Sequence, residues 1–157
     1  MKTATVHEIK QELLASPDKV LVDLCLRLSK FKKENKELLT YLLFEAHNEE
    51  GYIHEVNSLI NEEFISLDKS TNLYFAKKTI RKILRIANKH IRYTGSKQAE
   101  VVILLHFCST LKSHGIPFTK STALKNLYDQ QIKKIKTSLA SLHEDLQYDF
   151  QRELNLL

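Results

Sequence analysis

With 157 residues, 43% of them hydrophobic and 27% charged, the chain can bury a sizeable core and is not disordered throughout. Three glycines and two prolines are too few for the tight turns of an all-β protein. The net charge of +5 comes from unlike halves: residues 1–68 carry 8 Lys/Arg against 13 Asp/Glu, and residues 69–157 carry 16 against 6, a division that points to internal pairing or to an acidic partner.

The hydrophobic periodicity predicts an all-α fold of six or seven helices in one domain spanning 1–157, a bundle or an irregular helical stack, with no strand pattern. The first segment, 5–15, carries Val6, Ile9, Leu13 and Leu14 as a short apolar stripe. Ser16 and Pro17 then offer an N-cap and a first helical position for a helix running through Val20, Leu24, Leu28 and Phe31. Asn35 is the expected cap of a third segment with Leu38, Leu39, Leu42 and Leu43 facing inward, and Gly51 the expected divide before Ile53, Val56, Leu59, Ile60 and Phe64. Ser70 or Thr71 is expected to cap a basic helix that Gly95 ends, and Ser96 to open the next.

That next helix, 97–113, is apolar all round from Val101 to Cys108 except at His106. Such a helix belongs at the centre, with Leu104 and Leu105 buried. Gly115 and Pro117 make a sharp corner. From Ser121 the pattern Tyr128, Ile132, Ile135, Leu139, Leu142, Leu146 alternates steps of four and three, which predicts one long C-terminal helix, on the order of 50 Å, reaching almost to Leu157. A seam of that length invites a second copy to cover it, unless the helix breaks near Ser138 or Ser141 and folds back.

Chemistry is scarce. There is no Gly-rich phosphate loop, HExxH, GxSxG or EF-hand motif. Cys25 and Cys108 sit among apolar neighbours and read as small buried hydrophobes. His47, Glu50 and His54 share a face only if a helix runs through Gly51, and they read as polar surface; no metal and no cofactor is expected. His106 reads as a core histidine satisfied by a neighbour. The start MKTATVHEIK lacks the apolar stretch of a secretory signal, and the longest apolar run, VVILL, falls short of the ~20 residues of a membrane span, so the expected setting is cytoplasmic with no membrane contact.

One segment stands apart. In LYFAKKTIRKILRIANKHIRY, Leu73, Ala76, Ile80, Ile83, Leu84, Ala87 and Ile91 fall on one side of a helical wheel. Lys78, Arg81, Lys82, Arg85, Lys89 and Arg92 fall on the other, and no carboxylate interrupts them. The expected function is therefore a non-enzymatic helical interaction module. It would bind a macromolecule through this face, 77–92, or through the C-terminal helix. An acidic protein, a second copy or a nucleic acid held by sequence-independent phosphate contacts would suit it, and no small-molecule ligand is implied. An enzyme would instead gather residues distant in sequence into a deep pocket.

Overall fold

A computed structural model describes residues 2–157. Among them the chain forms eight α-helices and no strand: α1 (Val6–Ala15), α2 (Asp18–Phe31), α3 (Lys33–Thr40), α4 (Glu49–Ile65), α5 (Leu73–Thr94), α6 (Lys97–Ser113), α7 (Thr122–Leu139) and α8 (Glu144–Leu154). A π-helical turn, Tyr41–Glu45, follows α3, and a 3-10 turn, Phe118–Lys120, precedes α7. None of the described helices is long and apolar enough to cross a membrane. The chain divides into two compact units, residues 1–44 and 45–157.

In the first unit, α1 opens with a capping box: the Thr5 hydroxyl accepts from the Glu8 amide at 3.3 Å, and the Glu8 carboxylate accepts from the Thr5 amide at 2.7 Å. Ser16 does not cap α2. Its hydroxyl donates back to the Glu12 carbonyl, and Pro17, extended at ψ 149°, occupies the capping position. The reason is local: Ser16 closes α1 one residue before the proline ring fixes the start of α2. Asn35 lies inside α3, where its amide donates to the Leu28 carbonyl at 2.9 Å and ties α3 to α2. Leu42 and Leu43, expected to face inward, are exposed, as is Cys25.

The second unit is built around α6, which packs against α4, α5, α7 and α8. Val101, Ile103, Leu104, Phe107, Cys108 and Leu111 have no exposed surface, and Leu105 very little. Apolar residues on every side of α6 demand neighbours on every side, and four helices supply them. Burial pushes the Cys108 thiol up to about 12, which leaves it uncharged and inert. Ile53, Val56, Ile60 and Phe64 of α4 and Ala76, Ile80, Ile83, Ala87 and Ile91 of α5 complete the core. His106 is satisfied across to α4, its Nε2 2.8 Å from Asn61 Oδ1. Burial holds its imidazole below the ordinary value, against the opposing pull of a hydrogen bond to the Asn57 backbone.

The α4 boundary corrects the expected divide at Gly51. The helix begins at Glu49 with Asn48 as N-cap, and Gly51 lies in its first turn, not between helices. The Asn48 side chain accepts from the Gly51 amide at 3.1 Å, and a Cβ on residue 51 would run into that side chain. His47 thus precedes the helix that carries Glu50 and His54, so the three share no helical face, and no metal-binding cluster occurs among the described residues.

The long C-terminal helix is also corrected. α7 stops at Leu139, a turn follows, and α8 restarts at Glu144, which brings the helix count to eight. Ser141 bonds the Ser138 carbonyl at 2.6 Å, and the Gln147 amide reaches back to the Leu142 carbonyl at 2.7 Å, so side chains satisfy the backbone at the break. α8 then packs on α6 and α7. Lys112 donates to the carbonyls of Leu156 and Leu157, and Tyr128 to that of Leu157. No ~50 Å rod forms, and the seam expected to draw a second copy is spent within the unit, with Ile135 and Leu139 buried.

A buried carboxylate joins α6 to α7. Glu100 accepts from the Ser138 hydroxyl, from Lys134 at 2.9 Å and from Lys97 at 3.0 Å. Burial works to raise its pKa, but these hydrogen bonds and the lysine charge outweigh it and hold the group at about 2.

Candidate functional site

The basic face lies on α5, a 22-residue helix capped at its start by Asn72, whose side chain accepts from the Tyr74 amide at 2.8 Å, and ended by Gly95 at φ 62°. Asn72 takes the place expected of Ser70 or Thr71, because those residues close a turn held by the Asp68 carboxylate, which accepts from the Ser70 amide and hydroxyl at 2.8 Å. The buried stripe from Ala76 to Ile91 fixes the rotation of α5, and that rotation turns the cations outward. Lys78, Arg81, Lys82, Arg85 and Arg92 are exposed, and Lys89 is half-buried.

The six do not act alike. Lys82 faces α4, where both Glu63 carboxylate oxygens accept from it, at 2.9 and 2.8 Å. The acidic stretch 45–68 therefore meets one edge of the face and compensates it there. The Lys89 ammonium sits 6.0 Å from the Tyr93 ring centroid, a cation–π distance. Lys78, Arg81, Arg85 and Arg92 make no ion pair among the described residues.

Three of these, Lys78, Arg81 and Arg85, border an open groove of about 610 Å³ together with Lys77, Tyr74, Leu84 and Asn88. The periodicity assigns Leu84 to the core side. It lies on the flank of the buried stripe, is half-buried, and gives the groove an apolar wall. Lys77 lies on that same flank, beside the arc opposite the core, and its ammonium rests 5.6 Å from the Tyr74 ring centroid. Tyr74 stands exposed at the N-terminal end. A signal for these additions was present in the sequence: residues 74, 77, 78, 81, 84, 85 and 88 repeat by threes and fours and mark one stripe of a helix.

At the C-terminal end of the groove, Asn88 is fixed by Lys134, whose ammonium donates to the Asn88 side-chain Oδ1 at 3.1 Å while also pairing with Glu100. Glu100 is engaged by Lys134, Lys97 and Ser138, so its charge is spent on the α6–α7 contact and not on the groove. Among the described residues no carboxylate lines the groove, and no nucleophile paired with a base does. The arrangement offers positive charge, an exposed ring and an apolar wall, a chemistry of binding.

Set against protein families, curated proteins and solved structures, the chain matches none of them.

Proposed function

We propose that the protein is a non-enzymatic helical interaction module that receives an acidic protein segment on α5. The observation that carries this reading is the uncompensated groove: Lys77, Lys78, Arg81 and Arg85 lie around an apolar wall with no carboxylate among the lining residues. A solvated helix face usually mixes signs and gains from i,i+4 pairs, and this stretch does neither. Carboxylates of a partner would meet the rim, where rim charges mainly govern association rate and salt dependence, while apolar side chains of the same segment would cover Leu84. The groove residues Lys77 to Arg85 span eight steps, about 12 Å of helix, enough for two turns of a docked segment.

Nucleic acid is the second reading, and Tyr74 is the observation in its favour. The ring is exposed beside Lys77 and Lys78, and one base could stack on it while phosphates follow the cations. A protein segment ranks first because the remaining contact surface is the aliphatic Leu84 and not a run of rings. The C-terminal helix, the other surface expected from the sequence, has less to offer, since α8 packs on α6 and α7 and Ile135, Leu139 and Leu154 are buried. A cytoplasmic setting belongs to the same proposal.

The test is fluorescence anisotropy at low and moderate salt with two probes: an amphipathic peptide rich in Glu and Leu, and a mixed-sequence single-stranded oligonucleotide. The peptide is expected to bind more tightly, and Arg81→Glu with Arg85→Glu to abolish that binding. Binding of the oligonucleotide alone, lost on Tyr74→Ala, would replace the first reading with the second. No binding of either probe at low salt would end both.

A further inference from the structure

We propose that the N-terminal unit is a self-association surface, and that its occupant is the same unit of a second copy. α1, α2 and α3 bury none of their residues. Among residues 2–44, thirteen large apolar side chains are at least 39% exposed, from Val6 in α1 to Phe44 in the π turn, and Phe31 reaches 76%. Together they leave on the order of 1,000 Å² of apolar surface, taking roughly 150–200 Å² for each complete side chain. A standard interface takes about 800 Å² from each partner, so a dimer needs no more than this unit has.

The sequence of α2 points the same way. Four of its six polar residues, Lys19, Asp23, Arg27 and Lys30, repeat by fours and threes and form one stripe, with Asp18 and Ser29 outside it. Val20, Leu21, Val22, Leu24, Leu26 and Leu28 occupy much of the rest of the circumference. A helix apolar over so wide an arc is the pattern of a buried helix, as in α6. With only 44 residues, the unit is near the size below which folded domains usually need a metal, a disulfide or a partner. It contains no disulfide.

A second copy fits better than a charged partner for two reasons. The unit carries 8 Lys/Arg and 6 Asp/Glu, nearly balanced and of mixed sign, so two copies meet without the repulsion that opposing basic faces would bring. It also presents both halves of a self-complementary contact. α2 and α3 enclose a groove of about 240 Å³ walled by Leu28, Leu38, Leu39 and Leu42, and Leu24 and Phe31 stand exposed on α2 beside it. A two-fold axis would seat each copy's exposed side chains in the other's groove. The pairing is independent of what α5 binds.

Sedimentation velocity on the full chain, from about 1 to about 100 µM, tests it, since a dimer's population depends on concentration. Twice the chain mass is expected at the upper end, with Leu24→Asp plus Leu28→Asp reducing it to the monomer while Lys19→Glu on the polar stripe does not. The melting of the double variant followed by circular dichroism checks that helices remain. A second readout needs no substitution. Cys108 is buried, so Cys25 is the thiol that reacts, and because Cys25 lines the groove its alkylation should slow at least tenfold between dilute and concentrated protein. A wild type that stays monomeric to about 100 µM overturns the proposal. So does a dimer that persists in the double variant with Cys25 reactive at every concentration.

Discussion

Helices α2 and α6 are alike on paper and opposite in the structure. Both carry a long apolar run of Leu, Val and Cys, Val20–Leu28 broken at Asp23 and Arg27 in α2 and Val101–Cys108 broken at His106 in α6. In α6 nine residues are buried; in α2 none is. The difference lies in the neighbours. Four helices cover α6, whereas α2 has α3 as its main contact within its own unit. Apolar circumference therefore states a need for burial, and tertiary context decides whether the chain alone meets it. The surplus on α2 is the physical basis for assigning it a second copy.

The largest effect expected from breaking this contrast is at Leu104. The side chain has no exposed surface, so Leu104→Ala removes its transfer energy and leaves a cavity, and should cost about 2–5 kcal/mol in denaturant unfolding. The matching change on α2, Leu28→Ala, should cost no more than about 1 kcal/mol in protein dilute enough to be monomeric, since most of the side chain is already in water. Equal costs at the two positions would mean that α2 is covered within one chain.

Glu100 sharpens the comparison from the polar side. Glu100→Gln keeps the shape but loses the charged hydrogen bonds to Lys134, Lys97 and Ser138, and should cost about 1–3 kcal/mol at pH 7. The sign of its pH dependence follows from a folded pKa of about 2 against an ordinary 4.5. The stabilisation is complete above about 4.5 and fades as pH falls toward 2, because the unfolded chain binds the proton first. Urea unfolding of both proteins between pH 7 and pH 3 should show the gap narrowing below 4.5. His106 adds a shallower acid loss that begins near its ordinary 6.5, since its folded pKa is also depressed and protonation favours the unfolded chain.

These expectations mark what the sequence made legible. The α4, α5 and α6 stripes, the Ser96 and Ser121 caps and the Gly95 stop follow from periodicity and local hydrogen bonding, and apart from the flanking Leu73 and Leu84 of α5 they stand where the pattern put them. The break after Leu139 does not follow. Leu142 and Leu146 continue the four-three spacing across it, and what stabilises the turn includes contacts far away in sequence, such as Lys112 and Tyr128 on the Leu157 carbonyl. The outward position of Leu42 and Leu43 was hidden for a related reason: an inward face presumes a core, and the first unit has none around α3. The cations of the candidate site were readable one by one. The stripe that joins three of them to Lys77, Tyr74 and Leu84 was readable as well, but that this flank stays open was not, because the packing of α5 determines it.

A smaller effect is expected at the end of α5. Gly95 sits at φ 62°, and a Cβ there would meet nothing within 4 Å, so the only cost of Gly95→Ala is the left-handed backbone. That cost is about 1–2 kcal/mol, and it should appear as a lower melting temperature with no change in helix content. A cost near zero would mean that α5 can end in another conformation.

The smallest effect on stability is expected where the effect on binding is largest. Arg81 and Arg85 are exposed and make no ion pair among the described residues, so neither holds the second unit together. Reversing both to Glu should change unfolding free energy by no more than about half a kcal/mol each. The reversal can even stabilise slightly, since it relieves repulsion among Lys77, Lys78, Arg81 and Arg85 and, through Arg85→Glu, sets a carboxylate four residues before Lys89, a favourable helical spacing. Lys82→Glu is the internal control. It breaks the bond to Glu63 and sets two carboxylates side by side, so it should destabilise more than either arginine reversal while leaving the groove lining intact. Chemical denaturation of the three single variants gives the order directly. If Arg81→Glu or Arg85→Glu proves as costly as Lys82→Glu, the arginines serve the fold, and the groove loses its claim to be a binding surface.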